Sequence, residues 1–448
     1  MTFLKKVKLL NRMSFFQKGL FVSAGQVFSV MFGVIGTMVL ARSLGKAGMG
    51  KYDLLRQMGI LSITILSLGI GNASIYLLNK EHEDRREIVN LVIRFLLVLT
   101  PFLCIGLTAL IIGYRKYFGD VSVFVAMYFS LGISALLSIN VLRALYVAWL
   151  NVKHILIADI LPSMLMVMGS LVLWVLKKLD TEWALSIHAT GNLLALSTLL
   201  YGVYPLINLR SFITRRLFKR IVSIGWKLFA SNIFQVLGPT LAVLVLRYKT
   251  MGTSGFGIVG LYTRASALCG LAMLIPNAFG PLLYSKWASA NHEEQKTSFE
   301  YAARLSVAYG VIVATILVVF GRYALFILYG REFISAQGAI CALAPSIALF
   351  TITSAFINYF ASIGKPGISA VLLALSAAIT ITFTSILVPR IGILGPGIAL
   401  SIAQVFTVAA FSYLARKYRG IDISRSFFLK REDLIRIISQ VKILMPKT

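Results

Sequence analysis

The chain has 448 residues, of which 58% are hydrophobic and only 13% charged, and its mean hydropathy is +0.84. Soluble domains run near 25% charged, so this composition excludes a soluble globular protein and indicates a chain that lies mostly in a bilayer. The net charge of +28 has no folded basic domain behind it. Lys and Arg fall mostly in short segments between apolar runs, where they set topology and face anionic lipid rather than nucleic acid.

In chain order, a basic segment (residues 1–18, with Lys5, Lys6, Lys8, Arg12 and Lys18) leads into the apolar stretch Leu20 to Leu40. That stretch exceeds the roughly 7–15 residues of a signal-peptide core and reads as an uncleaved first span. A hydrocarbon core about 30 Å thick needs about 20 apolar residues per helix. Twelve stretches meet this, at 19–41, 53–78, 88–113, 121–149, 154–176, 184–207, 226–247, 257–283, 302–328, 336–361, 367–388 and 393–415. All are expected to be helices, because an open sheet leaves backbone groups unsatisfied in lipid and no period-2 alternation marks a barrel. The expected fold class is an all-α polytopic membrane protein of about twelve transmembrane helices in two six-helix lobes.

With the N-terminus in the cytoplasm, inner segments hold 27 Lys and Arg and outer ones 13, so both termini are expected inside. A basic cytoplasmic linker at 208–225, containing Arg210, Arg215, Arg216, Lys219 and Arg220, separates an N-lobe at 19–207 from a C-lobe at 226–415. Gly50-Lys51-Tyr52 recurs 210 residues later as Gly260-Leu261-Tyr262, each after an arginine and a glycine-rich outer loop. Six spans return the chain to the same side, so the halves are expected to be parallel repeats about an axis along the membrane normal. The tail at 416–448 carries nine cations, with Phe427, Phe428, Leu434, Ile435, Ile438 and Val441 near helical spacing. It reads as an in-plane amphipathic helix on the inner leaflet or as an irregular basic tail.

Arginines inside the apolar stretches are the functional clue. Arg94, Arg143, Arg264 and Arg304 lie within them, and Arg56 stands one turn into another. Asp53 and Asp159 are the only carboxylates available there to neutralise them or to act as coupling groups. A charge at the bilayer centre costs about 2.5–3.5 kcal/mol, so such residues face a bundle interior or a wet cavity. An excess of internal cations points to an anion held there. Interface snorkelling competes with this role for Arg94, Arg143 and Arg304, and an i,i+3 bridge to Asp53 competes with it for Arg56. Arg56 lies six residues beyond its motif glycine and Arg264 four, about 200° apart around a helix, so the two are not repeat mates. Three cysteines (Cys104, Cys269, Cys341) and four scattered histidines make no disulfide framework or metal spacing, and no cofactor is expected.

Four motifs resemble one family. Ala41-Arg42-Ser43-Leu44-Gly45 continuing to Gly50-Lys51-Tyr52 is similar to the "ARxLGxxxxGxY" loop of polysaccharide-biosynthesis flippases. Leu328-Tyr329-Gly330-Arg331-Glu332-Phe333, Ile363-Gly364-Lys365-Pro366 and Pro389-Arg390-Ile391-Gly392-Ile393-Leu394-Gly395 resemble later family motifs in the same order. These are O-antigen (Wzx-type) flippases of the multidrug/oligosaccharidyl-lipid/polysaccharide (MOP) exporter superfamily. The resemblance implies a multi-pass protein of a bacterial or archaeal cytoplasmic membrane. It also implies alternating access and a cargo of undecaprenyl-diphosphate-linked oligosaccharide moved from inner to outer leaflet. Fixed guanidiniums can bind its phosphates bidentately, and Gln26, Asn72, Gln235, Asn277, Asn358 and Gln404 can line a hydrated path for the glycan. Expected partners are the lipid-linked oligosaccharide, membrane lipids, and through the family a polysaccharide polymerase and glycosyltransferases; a monomer suffices.

Three alternatives stay open. A lipid-II flippase is the nearest. A cation-coupled multidrug exporter of the same superfamily usually needs a carboxylate in the first or seventh span, and neither has one. A membrane-embedded polymerase or ligase usually carries a large outer loop with catalytic polar residues, whereas the longest outer connections here are about ten residues.

Overall fold

The computed structural model describes residues 15–80, 84–149, 151–208, 215–252 and 254–421. The N-terminal cations Lys5 to Arg12, His82, Arg210 and the amphipathic pattern of 422–448 lie outside the described residues.

Helices account for nearly all of the described chain, and no strand occurs among the described residues. In order they are α1 (Phe15–Leu66), α2 (Ile70–Lys80), α3 (Arg85–Gly113), α4 (Arg115–Phe118), α5 (Val123–Ala148), α6 (Val152–Val175) and α7 (Thr181–Val203). There follow α8 (Arg215–Lys249), α9 (Gly255–Gly270), α10 (Leu274–Ser289), α11 (His292–Tyr329), α12 (Gln337–Ser362), α13 (Pro366–Ile391) and α14 (Leu394–Arg419). Ten segments among the described residues are long and apolar enough to cross a membrane. The protein is therefore an all-helical, multi-pass membrane protein.

Three breaks shape these helices. Gly45 sits within α1 at φ 63°, ψ −176°, which separates the first predicted span from the second. The second predicted span is itself interrupted between α1 and α2, where Leu68 and Gly69 take φ 44° and 68°. The eighth predicted span, 257–283, is interrupted by a 3₁₀ turn at Leu271–Met273. Pro276 follows in the first turn of α10, where its missing N–H costs nothing. Two of the connections carry side-chain caps: Ser122 accepts from Val125 N at 3.3 Å, Asp180 accepts from Trp183 N at 2.8 Å, and Glu182 accepts from Ser122 N at 2.8 Å.

Two compact units make up the chain: one runs to Gly260 and adds Leu328–Glu332, the other holds Leu261–Ile327 and the residues from Phe333 onward. In the first, α5 is the central helix, with Phe129, Ile133, Leu137, Leu142 and Leu145 buried along it. By contacts, α8 and the first turns of α9 group with this unit. Gly225 of α8 packs on the Leu68–Gly69 break, and Tyr117 Oη donates to Leu244 O at 2.6 Å. In the second unit, Trp287, Phe299, Phe356, Tyr359, Phe360 and Phe411 form an aromatic core. Phe356 stacks on Phe411 with ring centroids 5.1 Å apart.

The repeated glycines meet within the first unit. A methyl group on Gly50 would overlap the Phe256 carbonyl oxygen and stand 2.8 Å from Gly260 N. A methyl on Gly260 would overlap the Lys46 carbonyl oxygen and stand 2.9 Å from Gly50 N. Lys46 and Phe256 are themselves 210 residues apart, so the contact exchanges one repeat for the other. Two helices cross here backbone on backbone, as glycine permits in membrane bundles. Gly50→Ala and Gly260→Ala are each expected to cost about 1–3 kcal/mol by overpacking and to lower the thermal midpoint of the detergent-purified protein. Gly33→Ala, whose added carbon meets nothing within 4 Å, is expected to leave it unchanged.

Candidate functional site

The candidate residues follow from where each helix buries its charge. Past the Gly50 crossing, α1 presents Tyr52 and Asp53 inward, 2% and 1% exposed. His188 of α7 meets the Tyr52 ring edge-on at 6.4 Å between centroids and lies 6.0 Å from that of Phe129. One turn along α7, Asn192 Nδ2 is 3.2 Å from His188 Nδ1. Arg56 leaves this cluster for the unit surface. Its Nε stands 3.9 Å from Asp53 Oδ1, and its side chain is 36% exposed. That separation is at the limit for an ion pair and makes no hydrogen bond, so the guanidinium keeps its donors for another acceptor.

Arg143 and Asp159 are brought together. Arg143 Nε and Nη2 of α5 each donate to one Asp159 oxygen of α6, both at 2.8 Å. This bidentate pair joins one predicted anion ligand to one predicted coupling carboxylate, so each satisfies the other. Arg94 of α3 is half-buried. In the second unit Arg264 of α9 and Arg304 of α11 are both buried.

The amides separate by environment. Gln26, Asn72 and Asn277 are exposed, Gln235 and Asn358 half-buried. Asn358 Nδ2 donates to Ser354 O at 2.8 Å. Gln404 is buried and accepts from Thr353 Oγ1 at 3.0 Å, which makes it a helix-packing group between α12 and α14.

Sequence reasoning passed over Arg247, the last arginine of α8. It is 2% exposed and donates to Tyr117 O at 2.8 Å, Lys116 O at 3.0 Å, Gly252 O at 3.2 Å and Thr250 O at 3.5 Å. Its guanidinium carbon lies 3.8 Å from the centre of the Phe256 ring. Burial pushes the adjoining Tyr117 phenol above its ordinary pKa, while Arg247 pulls the other way. Four carbonyls and a ring satisfy this cation without any carboxylate. The signal in the sequence was an arginine ending an apolar run before glycine-rich chain. Glu332 was also missed as a contact: its Oε2 accepts from Lys46 N at 3.2 Å.

The family described as polysaccharide biosynthesis protein matches residues 15–283, more than half of the chain. The chain belongs to this family. Among curated relatives, the uncharacterized membrane protein MJ1068 of Methanocaldococcus jannaschii is 26% identical over 191 residues, 41% of this chain and 37% of that protein. The match thus spans well under half of that relative's length. Among solved structures, the fold of this chain is similar to the lipid II flippase MurJ in an inward closed conformation. The TM-score is 0.73 at 12% identity, over 96% of this chain and 94% of that one. An inward-facing MATE-family multidrug resistance transporter of the MOP superfamily gives 0.72 at 14%, over 90% and 98%. A MOP superfamily transporter from Pyrococcus furiosus, described by the reverse polarity of its binding pocket, gives 0.65 at 16%, over 92% and 98%. The fold is thus similar to that of these transporters and of the flippase.

For the Arg143–Asp159 pair, Arg143→Ala and Asp159→Asn are each expected to lower stability. The double variant should recover part of the loss, giving a coupling of about 1–2 kcal/mol for a half-exposed bidentate pair. A double-mutant cycle of thermal or denaturant unfolding measures it.

Proposed function

We propose that this protein is a flippase. In this reading it moves an undecaprenyl-diphosphate-linked oligosaccharide, the repeat unit of an O-antigen, capsule or exopolysaccharide, from the inner to the outer leaflet of a bacterial or archaeal cytoplasmic membrane. It does so with about twelve spans, in two six-helix lobes, and with both termini inside. The observation that carries the reading is charge: among the described residues, three arginines (Arg247, Arg264, Arg304) but one carboxylate (Asp53) are buried. A diphosphate cannot cross hydrocarbon unaided, and arginine offers it paired donors that stay charged at any physiological pH. A cationic drug would meet repulsion from the same residues, and this disfavours a multidrug exporter.

Arg56 is the first candidate phosphate ligand, because its only described ion pair is loose and its side chain reaches the surface of its unit. Arg264 is the second, with Arg94 and Arg304 behind it. Arg143 ranks last because Asp159 already takes its Nε–Nη2 edge and answers its charge. Of the two possible coupling carboxylates, Asp53 is the better placed, being buried beside a loosely held cation.

Native mass spectrometry of the detergent-purified protein tests the reading. Wild type is expected to retain a polyprenyl-diphosphate sugar, and its mass identifies the glycan and distinguishes lipid II from other units. Arg56→Ala with Arg264→Ala is expected to lose it. Retention by the double variant would move the site to Arg94 or Arg304, and organic cations in place of the lipid would contradict the proposal.

A further inference from the structure

The second unit holds an amphipathic cavity apart from the candidate phosphate ligands, bordered by Asn358 alone of the amides expected to line a glycan path. Helix α10, the first half of α11 and the second half of α12 enclose a groove of about 390 Å³. Ile275, Phe279, Leu283, Leu305 and Ala355 give it apolar walls, and Ile275 and Phe279 remain exposed along its side. Three of its polar side chains already have partners. Tyr309 Oη donates to Ala272 O at 2.7 Å, Thr351 Oγ1 to Ser306 O at 2.8 Å, and Asn358 Nδ2 to Ser354 O at 2.8 Å. Along these apolar walls a sugar would find few partners for its hydroxyls, whereas a hydrocarbon chain would lose nothing.

At one end the character changes. Lys286, Ser298 and Tyr301 border both the groove and an adjoining polar recess of about 510 Å³, which Ser289, Glu294 and Thr297 complete. This recess lies at the end of α10 and the start of α11, on the predicted cytoplasmic side. Lys286 and Glu294 are exposed, and among the described residues neither forms an ion pair. One cation and one carboxylate thus stand in the same recess, each open to a ligand, at the end of an apolar groove.

We propose that this cavity seats one phospholipid of the inner leaflet whose head carries both a phosphate and a primary ammonium. One acyl chain lies in the groove, the phosphate meets Lys286 and the Ser298 hydroxyl, and the ammonium meets Glu294. Charge complementarity selects this occupant. A purely anionic head gains Lys286 but faces Glu294, and a polyprenyl phosphate meets the same opposition. The inference does not rest on the identity of the transported cargo.

The test is lipid titration of the full-length, delipidated protein followed by native mass spectrometry, with phosphatidylethanolamine, phosphatidylglycerol and a polyprenyl monophosphate as probes. The first bound phosphatidylethanolamine is expected to be held about fivefold tighter than phosphatidylglycerol, the scale of one exposed ion pair. Glu294→Gln is expected to abolish that preference, and Lys286→Gln to weaken both phospholipids. Both are surface changes that leave the fold intact. Ser306→Phe, which fills the groove, is expected to remove the first site altogether. Equal binding of the two phospholipids by wild type, or a preference that survives Glu294→Gln, would overturn the proposal. Displacement of phosphatidylethanolamine by equimolar polyprenyl phosphate would overturn it as well and assign the groove to the carrier lipid.

Discussion

The contact between Gly50 and Gly260 is the constraint on which one end of the first unit depends. Lipid tails are as apolar as leucine, so helices in a bilayer gain little by hiding hydrophobic surface from it, and close main-chain approach supplies the attraction instead. Here α1 and α9 come within reach of each other's carbonyls because neither crossing residue has a side chain. The crossing places Phe256 over the Arg247 guanidinium. Arg247 in turn gathers the carbonyls of Lys116 and Tyr117, which positions α4 and the turn after it. Gly119 then fits against Phe256 and Lys51, and the Lys51 amine donates to the Asp120 carbonyl. Two glycines and one arginine therefore tie together segments from both halves of the sequence.

The arginines differ in how their charge is answered, and that difference separates structural from functional candidates. Arg247 is met by neutral carbonyls, which hold it in place and leave its charge uncancelled. Arg143 is met by a carboxylate in a two-pronged pair, so it adds no net charge. Arg56 has a carboxylate neighbour at the limit of contact and exposed surface beyond. An anion entering near Arg56 would find a donor that is charged, accessible and weakly held. Such a donor gains more from a phosphate than one already satisfied in the protein.

Much of this was legible in the sequence. Long apolar runs, loop cations and the absence of strand alternation are properties of composition, and the helices lie where those runs lie. The 210-residue echo of Gly50 in Gly260 was legible too, though its meaning as a physical contact was not: a motif repeat gives no distance. The helix breaks were harder. Gly45 and Gly69 had a visible cause, but Leu68 takes a positive φ that no leucine advertises. The Arg143–Asp159 pair was read as two separate roles because the residues are 16 positions apart on successive helices, and only packing brings them together. Arg247 looked like a loop boundary, since its partners are backbone carbonyls that leave no trace in side-chain patterns. Gln404 looked like a lining amide, and packing turned it toward Thr353.

Transport itself is the most direct test of the central claim. Purified protein in proteoliposomes would be given a fluorescent polyprenyl-diphosphate oligosaccharide, and its arrival in the opposite leaflet read with a membrane-impermeant quencher, with an organic cation dye in parallel. The account predicts protein-dependent movement of the lipid-linked sugar, slowed in Arg56→Ala, and no movement of the dye. Dye export without movement of the lipid-linked sugar would contradict it.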